Sequence, residues 1–410
     1  MPQTIAGEAS LINHPLLEGN PGNAPSIATG NSNQKVAIVG GGPAGMALAL
    51  ALRHHGITAE IFEARERAAV RNDSRVLALS DGSRQILDWL GVWPHSAATP
   101  IKSIHISHRG SFGRTMLHAS ELDVPALGWV LPAAELIATL DAAVSAASIS
   151  YHAGRKVGAG DTPQSLESVS GKSPWGTAAY ALTAWAEGAV HAPDAKAETT
   201  ARDYAQHAVV CTVRTAQPHA SIAWERFTDE GPVALLPLEK DYAVVLTCAA
   251  SDAARIAAMD DAAFLVLLQQ RFGARHRFTS ATAREHFPLA LRYRHNPVGE
   301  RQVWLGNAAQ TLHPVAGQGF NLALRDVWEL AQTLSNAADP GNREVLAAYA
   351  RQRQLDRRGA IGFTNLLIDV FAARSPLAQH ARGAGLLALD LLPPLKNFVA
   401  RRMMFGARAW

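Results

Sequence analysis

The stretch KVAIVGGGPAGMALALALRHHGITAEIFEARE, residues 35–66, constrains the fold more than any other part of the chain. Val36 to Val39 is a short, wholly apolar run of the kind needed by a parallel sheet covered on both faces. It runs into Gly40-x-Gly42-x-x-Gly45 and then into an Ala- and Leu-rich helix predicted over Met46 to His54. A second strand, Thr58 to Phe62, ends at Glu63. In this unit Gly40 permits the tight turn, Gly42 lets a pyrophosphate approach the backbone, and Gly45 allows the helix to pack closely on the strand. The helix start offers unpaired N–H groups and a positive dipole end to the phosphates. Glu63 is placed to accept hydrogen bonds from a ribose, which suits the free 2′-OH of FAD or NAD better than the 2′-phosphate of NADP. The alternative is a glycine-rich turn that binds nothing, but strand, helix, second strand and terminal acid agree on a dinucleotide. The motif alone does not separate FAD from NAD.

A second unusual stretch, LGNAAQTLHPVAGQGFNLALRDV, covers residues 305–327. Gln302 to Leu305 is predicted as a strand, so Gly306 and Asn307 lie at a strand's carboxyl end, where ligands of doubly wound sheets sit. A helix is predicted from near Phe320, with Phe320, Ala323, Leu324, Val327 and Leu330 forming a core-facing stripe. Gly317-Gln318-Gly319 precedes it, and bare N–H groups there favour developing negative charge, such as that on the N1–C2=O edge of a reduced flavin. Asn307 can bond a sugar-alcohol hydroxyl through either half of its amide. Pro314 fixes the backbone beside the ring, with His313 extended before it. The alternative is a connection whose glycines only let helix and strand pack.

The rest of the chain supplies a second sheet. A helix is predicted over Gly82 to Leu90, a strand pair in KSIHISHRGSFGRTMLHA, and a helix over Pro132 to Ala147 with proline in its first turn. Val157 to Ala179 reads as a loop or weak hairpin, and YALTAWAEGAV as a strand ending at Glu187-Gly188. HAVVCTVRT, IAWERFT, GPVALLPL and YAVVLTCAA are four short runs, implying an antiparallel sheet distinct from the dinucleotide unit. Helices are expected over Ala262 to Phe272 and from Val327 onward. Past Pro340, apolar helical faces stand beside Arg401, Arg402 and Arg408. They read as helices packed on the body, or as a basic, apolar surface that touches a membrane or a membrane-bound partner.

Composition removes several functions. The net charge of 38 − 35 = +3, with no Lys/Arg block among aromatics, argues against a nucleic-acid partner. Cys211 and Cys248 sit in apolar strand-like runs as core residues, and His105 and His108 point to opposite faces of a strand, so no metal site is expected. Residues 1–34 are rich in Gly, Pro, Asn and Ser and read as a disordered leader rather than a signal peptide. With no apolar run of eighteen residues, the expectation is a cytoplasmic protein.

In combination, the Gly40-x-Gly42-x-x-Gly45 unit with Glu63 and the late GNAAQTLHPVAGQGFNLALRD resemble the flavoprotein aromatic hydroxylases of the p-hydroxybenzoate hydroxylase fold. Within them the likeness is to the ubiquinone-biosynthesis hydroxylases of the UbiH/UbiF/VisC group, and most of all to the 2-polyprenyl-6-methoxyphenol, UbiH-type, members. SRVLALSDGSRQILDWLGVW, HRGSFG, ALGWV, WERFTDEGPVALLPL and FPLAL extend it, from about Lys35 to Arg353. The resemblance implies an α/β chain (α+β overall). A Rossmann-type FAD domain would take 35–99, 125–200 and 290–350, an inserted antiparallel substrate sheet 100–124 and 201–289, and a C-terminal helical segment 351–410.

It also implies roles. Gly40, Gly42 and Gly45 hold the FAD pyrophosphate, Glu63 the adenosine ribose, and Arg75 lies near the flavin. Asn307 replaces the family's usual Asp beside the ribityl chain, as in UbiH-type members, and Pro314 to Asn321, with Gly317, Gln318 and Gly319, line the ring. Glu187-Gly188 stands where the family has Asp-Gly, without the serine and arginine that follow. The implied reaction is monooxygenation: NAD(P)H reduces FAD, O₂ adds at flavin C4a, and the distal oxygen passes to the phenol ring of a polyprenylated ubiquinone precursor. No protein nucleophile is required. The sheet around Gly231 to Leu238 would roof the ring, with Leu235, Pro237 and His313 as substrate contacts. Other readings are an NAD-dependent dehydrogenase, which leaves the second glycine-rich turn unexplained, a flavin-binding non-catalytic subunit of a quinone-biosynthesis complex, and a related FAD hydroxylase of another substrate. Expected partners are the lipophilic polyprenyl phenol, other ubiquinone-biosynthesis proteins and peripherally a membrane.

Overall fold

The computed structural model describes residues 35–158, 180–190, 199–372 and 376–408. The leader and most of the loop or hairpin expected before Ala179 lie outside them. A six-stranded sheet runs in the order Val298–Gly299, Gln302–Trp304, Leu182–Trp185, Val36–Val39, Ala59–Phe62, Ser150–His152. All its neighbours are parallel except the first pair. Val36, Ala37 and Ile38 are fully buried, as the unbroken apolar run requires. The helix Pro43–His54 is buried from Gly45 through Leu52. It has no polar face because it lies between the sheet, the helix Ala133–Ala146 and the helix Gln318–Leu334.

The second sheet is larger. Its order is Gln310–Thr311, Glu285–Arg294, Thr199–Thr215, Asp241–Ala249, Val233–Leu238, Ile222–Phe227, Ser103–His108, Arg114–His118. The four predicted runs fall in consecutive strands of it. One pairing corrects the expectation of a wholly antiparallel sheet: Ile222–Phe227 runs parallel to Ser103–His108, with Glu225 opposite Ile106. The two strands are reached by separate excursions of the chain rather than by one hairpin, so nothing forces them to oppose. A three-stranded sheet of Val76–Ser80, Gly128–Pro132 and Thr99–Ile101 packs against Val233–Leu238 of the larger sheet and against the helices Ala133–Ala146 and Gln318–Leu334.

Behind the 305–327 stretch is a buried ionic network. Asp326 accepts hydrogen bonds from the Gly306 N–H at 3.2 Å, from Gln310 Nε2 at 2.7 Å and from Arg353 Nε at 2.8 Å. Arg353 also pairs with Asp356, which is shared with Arg325, each at 2.8 Å. Burial opposes ionisation of Asp356, but the Arg325 and Arg353 guanidiniums win and hold its pKa at about 2. Breaking one partner of such a pair leaves an uncompensated buried charge. Asp326→Ala is therefore expected to lower unfolding free energy by about 3–5 kcal/mol, measured by urea denaturation; a loss below 1 kcal/mol would sink this account of how the turn is held.

Candidate functional site

Register decides where the site lies. Val39 pairs with Trp185, and Trp185 with Trp304, so the three strands end level and their turns leave one edge of the sheet together. Gly40 has φ +111°, and a Cβ there would stand 2.6 Å from the Ala186 carbonyl oxygen and 2.9 Å from the Glu187 nitrogen. At Gly45 a Cβ would fall 1.9 Å from the Gly40 oxygen. Both are demanded by the protein's own packing. Gly42 is different: a Cβ there meets nothing within 4 Å, so the protein's own packing does not require the bare backbone. Gly42 caps the helix at Pro43 without any side-chain hydrogen bond, leaving the first-turn N–H groups on offer.

Glu63 ends the next strand. One carboxylate oxygen accepts from the Gly41 N–H at 2.7 Å, the other from Arg65 N and Nε at 3.0 and 2.9 Å. Burial would raise its pKa, but the hydrogen bonds from Arg65 and Gly41 outweigh it and keep the carboxyl below its ordinary range. Glu63 is thus an ionised acceptor beside the glycine turn, and the oxygen that takes only the Gly41 N–H retains capacity for a ribose hydroxyl.

The second turn docks against the first. Gly306 has φ +56°, and a Cβ there would touch Ala323 at 3.1 Å and Ala44 at 3.7 Å, which wedges this turn between the two helix starts. Asn307 Nδ2 donates to the Gly188 carbonyl at 3.3 Å, and Glu187 backs onto Gly40, so all three turns are linked. The second helix begins at Gln318, slightly earlier than predicted, with Gly317 in the left-handed region (φ +61°) as an N-cap without a side-chain bond. A Cβ at Gly319 meets nothing within 4 Å. Two uncapped helix starts therefore lie side by side around Gly306.

The side chains of three expected residues are engaged by the protein itself. The Asn321 amide is consumed by the protein: Oδ1 accepts from Ser80 N at 2.8 Å and Ser83 Oγ at 2.7 Å, and Nδ2 donates to the Ala78 and Gly317 carbonyls. It holds the glycine turn against the Val76–Ser80 strand instead of presenting itself to a ring. Arg75, at the foot of that strand, has its guanidinium held by Asp73. Gln318 Nε2 donates to the Met403 carbonyl at 3.3 Å.

Beyond Gly317 opens a cavity of about 910 Å³. Its near wall is Ala78 with His313, Pro314, Val315 and Gly317; the inserted sheet and the C-terminal helices complete it. His313 Nδ1 accepts from the Val315 N–H at 3.1 Å, which places the ring proton on Nε2. Burial lowers its pKa to about 4, so the ring is neutral. Leu235 and Pro237 do not line this space. Alternation turns them to the opposite side, where Leu235 packs with Val209, Val244 and Leu246, and it is Ala234 and Leu236 that face the cavity. Both sets are apolar, so hydropathy alone did not choose between them.

The donors suit FAD. An open-faced glycine turn at a helix start meets a pyrophosphate, an ionised acid meets a ribose, and a second bare helix start borders an apolar chamber large enough for an aromatic substrate. Because Gly42 meets no protein atom and Gly45 meets one at once, the two respond differently to the same change. Gly42→Val is expected to fold normally and purify without flavin colour, whereas Gly45→Val fails to fold. Full FAD occupancy in Gly42→Val would refute the assignment.

Comparison with known proteins agrees. A Synechocystis protein, slr1300, is 32% identical over 90% of this chain and 92% of its own length. The ubiquinone hydroxylase UbiL of Rhodospirillum rubrum is 29% identical over 96% of both chains. The crystal structure of p-nitrophenol 4-monooxygenase PnpA from Pseudomonas putida superposes with a TM-score of 0.69 at 15% identity, covering 92% of this chain and 99% of that one, which speaks to the fold. The sequence model of the FAD binding domain family matches residues 33–363, most of the chain, and the protein belongs to that family.

Proposed function

We propose that the chain is an FAD- and NAD(P)H-dependent monooxygenase that hydroxylates the phenolic ring of a polyprenylated ubiquinone precursor. The apolar cavity set directly against the second helix start carries this reading. An NAD-dependent dehydrogenase has no use for that arrangement, and the similarity to a ubiquinone hydroxylase supports the substrate class. Bound FAD supplies the redox chemistry, taking electrons from the nicotinamide and activating O₂ for transfer.

The chain's own contribution is placement and electrostatics. N–H groups of Gln318 and Gly319 at this helix start would stabilise negative charge on the ring edge of bound FAD, while the Gly317 N–H is spent on the Pro314 carbonyl at 2.8 Å. Ala223, Ala234 and Leu236 offer a flat apolar wall to a substrate ring, and Phe363, Leu367 and Leu386 a greasy path for a prenyl tail. An apolar lining of this kind keeps water from the transfer. A purified, flavin-loaded enzyme given a short-chain prenylphenol is expected to consume NAD(P)H and yield product carrying one oxygen atom from O₂. Leu236→Trp, which fills the wall, should cut turnover at least tenfold with FAD occupancy unchanged. NAD(P)H oxidation that never yields hydroxylated product from any such phenol would overturn the reading.

The substrate's solubility adds a membrane surface to this proposal. Leu387, Leu391, Leu392, Leu395 and Phe398 are exposed on the same C-terminal helices whose inner faces line the cavity. Among the described residues no helix is long and apolar enough to cross a membrane. Arg401 and Arg402 are turned onto the Leu122 and Leu355 carbonyls, so attachment would rest on apolar side chains and not on the basic surface expected from sequence. Leu391→Asp with Phe398→Asp is expected to abolish co-sedimentation with lipid vesicles, while raising salt leaves wild-type binding intact. Binding that salt removes, or that survives both substitutions, argues against it.

A further inference from the structure

Glu225 is the acidic side chain on the sheet wall of the cavity. Its strand, Ile222–Phe227, lies inside the sheet, flanked by Val233–Leu238 and Ser103–His108. Alternation sends Ala223, Glu225 and Phe227 to the cavity. Trp224 and Arg226 go to the other side, where they bond Tyr242 and Ser107. In register, Glu225 stands beside Ala234 and Ile106, and Ala234 beside Val245, so its immediate neighbours in the row are apolar. It lies two residues, about 7 Å, beyond Ala223, which packs with Ile101 and Val130 of the sheet that also holds Ala78.

No described residue hydrogen-bonds or ion-pairs this carboxyl, and burial pushes it up to about 7. The other ionisable groups around the chamber each bond elsewhere, although His313 also keeps a buried Nε2 without a hydrogen-bond partner. His108 bonds Ser111 and His313 bonds Val315; Asp369 pairs with Arg202, Arg382 donates to Val370, and Asp390 accepts from Met116. An unpartnered acid in an apolar wall costs free energy that an aliphatic residue would spare. The cost is explained if a ligand hydroxyl completes the site.

We propose that Glu225 receives the proton of the substrate's ring hydroxyl during oxygen transfer. This rests on the hydroxylase reading above, with O₂ and NAD(P)H as its co-substrates. The phenol O–H bond breaks, the proton moves to the Glu225 carboxylate, and the electron pair left on the ring oxygen enriches the ortho and para carbons. One of those carbons takes the transferred oxygen as a hydroxyl and then releases its own hydrogen to water as a proton. Glu225 returns its proton to the original ring oxygen, which restores both the aromatic phenol and the carboxylate.

The test uses the flavin-loaded enzyme, a short-chain prenylphenol and its O-methyl ether, with binding read from the perturbed flavin absorbance. Wild-type kcat is expected to rise with pH through about 7, because only the carboxylate accepts the proton. Glu225→Gln should keep FAD and bind the phenol with similar KM, lose about 100-fold in kcat, and show no such rise. Wild type should bind the phenol at least tenfold more tightly than the ether, and Glu225→Leu should erase that preference. A Glu225→Gln enzyme with kcat within twofold and an unchanged pH profile overturns the proposal, as does equal binding of phenol and ether by wild type. If wild type oxidises no phenol at all, the hydroxylase reading fails separately, and the binding comparison still decides Glu225.

Discussion

Asp326 is buried with both carboxylate oxygens in use, one toward Arg353 and the other toward Gly306 and Gln310. It projects from the helix Gln318–Leu334, so it locks the Gly306 turn to the helix whose start borders the cavity. The Gly306 turn in turn touches Ala44 on the first helix. The relative position of the two helix starts depends on this one buried carboxylate keeping its partners. Arg353, Asp356 and Arg325 extend the same lock to the C-terminal residues, where the Ala407 N–H donates to Asp356 at 3.1 Å.

The glycines at the strand ends do two distinct jobs that sequence patterns merge. Gly40 and Gly45 exist because neighbouring backbone leaves no room for a Cβ, and Gly42 and Gly319 because nothing in the protein occupies the space they leave open. Gly56, Gly91 and Gly385 are open in the same way, so it is the place at helix starts that sets Gly42 and Gly319 apart. The substrate side follows a different logic, with apolar walls contributed by two sheets and by helices far along the chain, and with polar atoms sparse enough that each one matters.

Much of this was legible in the sequence because it rests on local chemistry. The Val36–Phe62 unit, the run of β-strands from Ala208 to Ala250 and the helix behind Gly317 all announce themselves by period and by turn residues. What escaped depends on tertiary choice. Val233–Leu238 is apolar on both faces, so parity could not be read and Leu235 stood in for Leu236. Asn321 looked like a ligand contact because an amide serves a backbone clamp as well as a cofactor. The C-terminal helices carry apolar residues on two sides, one for the cavity and one outward, and no single stripe distinguishes them. Glu225 lay within a recognisable segment yet resembled any strand glutamate until its neighbours were known.

The level ending of three parallel strands also has a consequence for how the protein is made. Ala44 and Gly306 meet across 306 − 44 = 262 positions of chain, a long-range closure of the kind that slows folding. A dinucleotide touching both turns binds only after that closure, so it stabilises the native state by mass action. The amount of folded protein in a cell should then follow the supply of cofactor. Substitutions at the open-faced glycines would lower the steady-state level of the polypeptide as well as its activity, with degradation reporting the vacancy before any assay does.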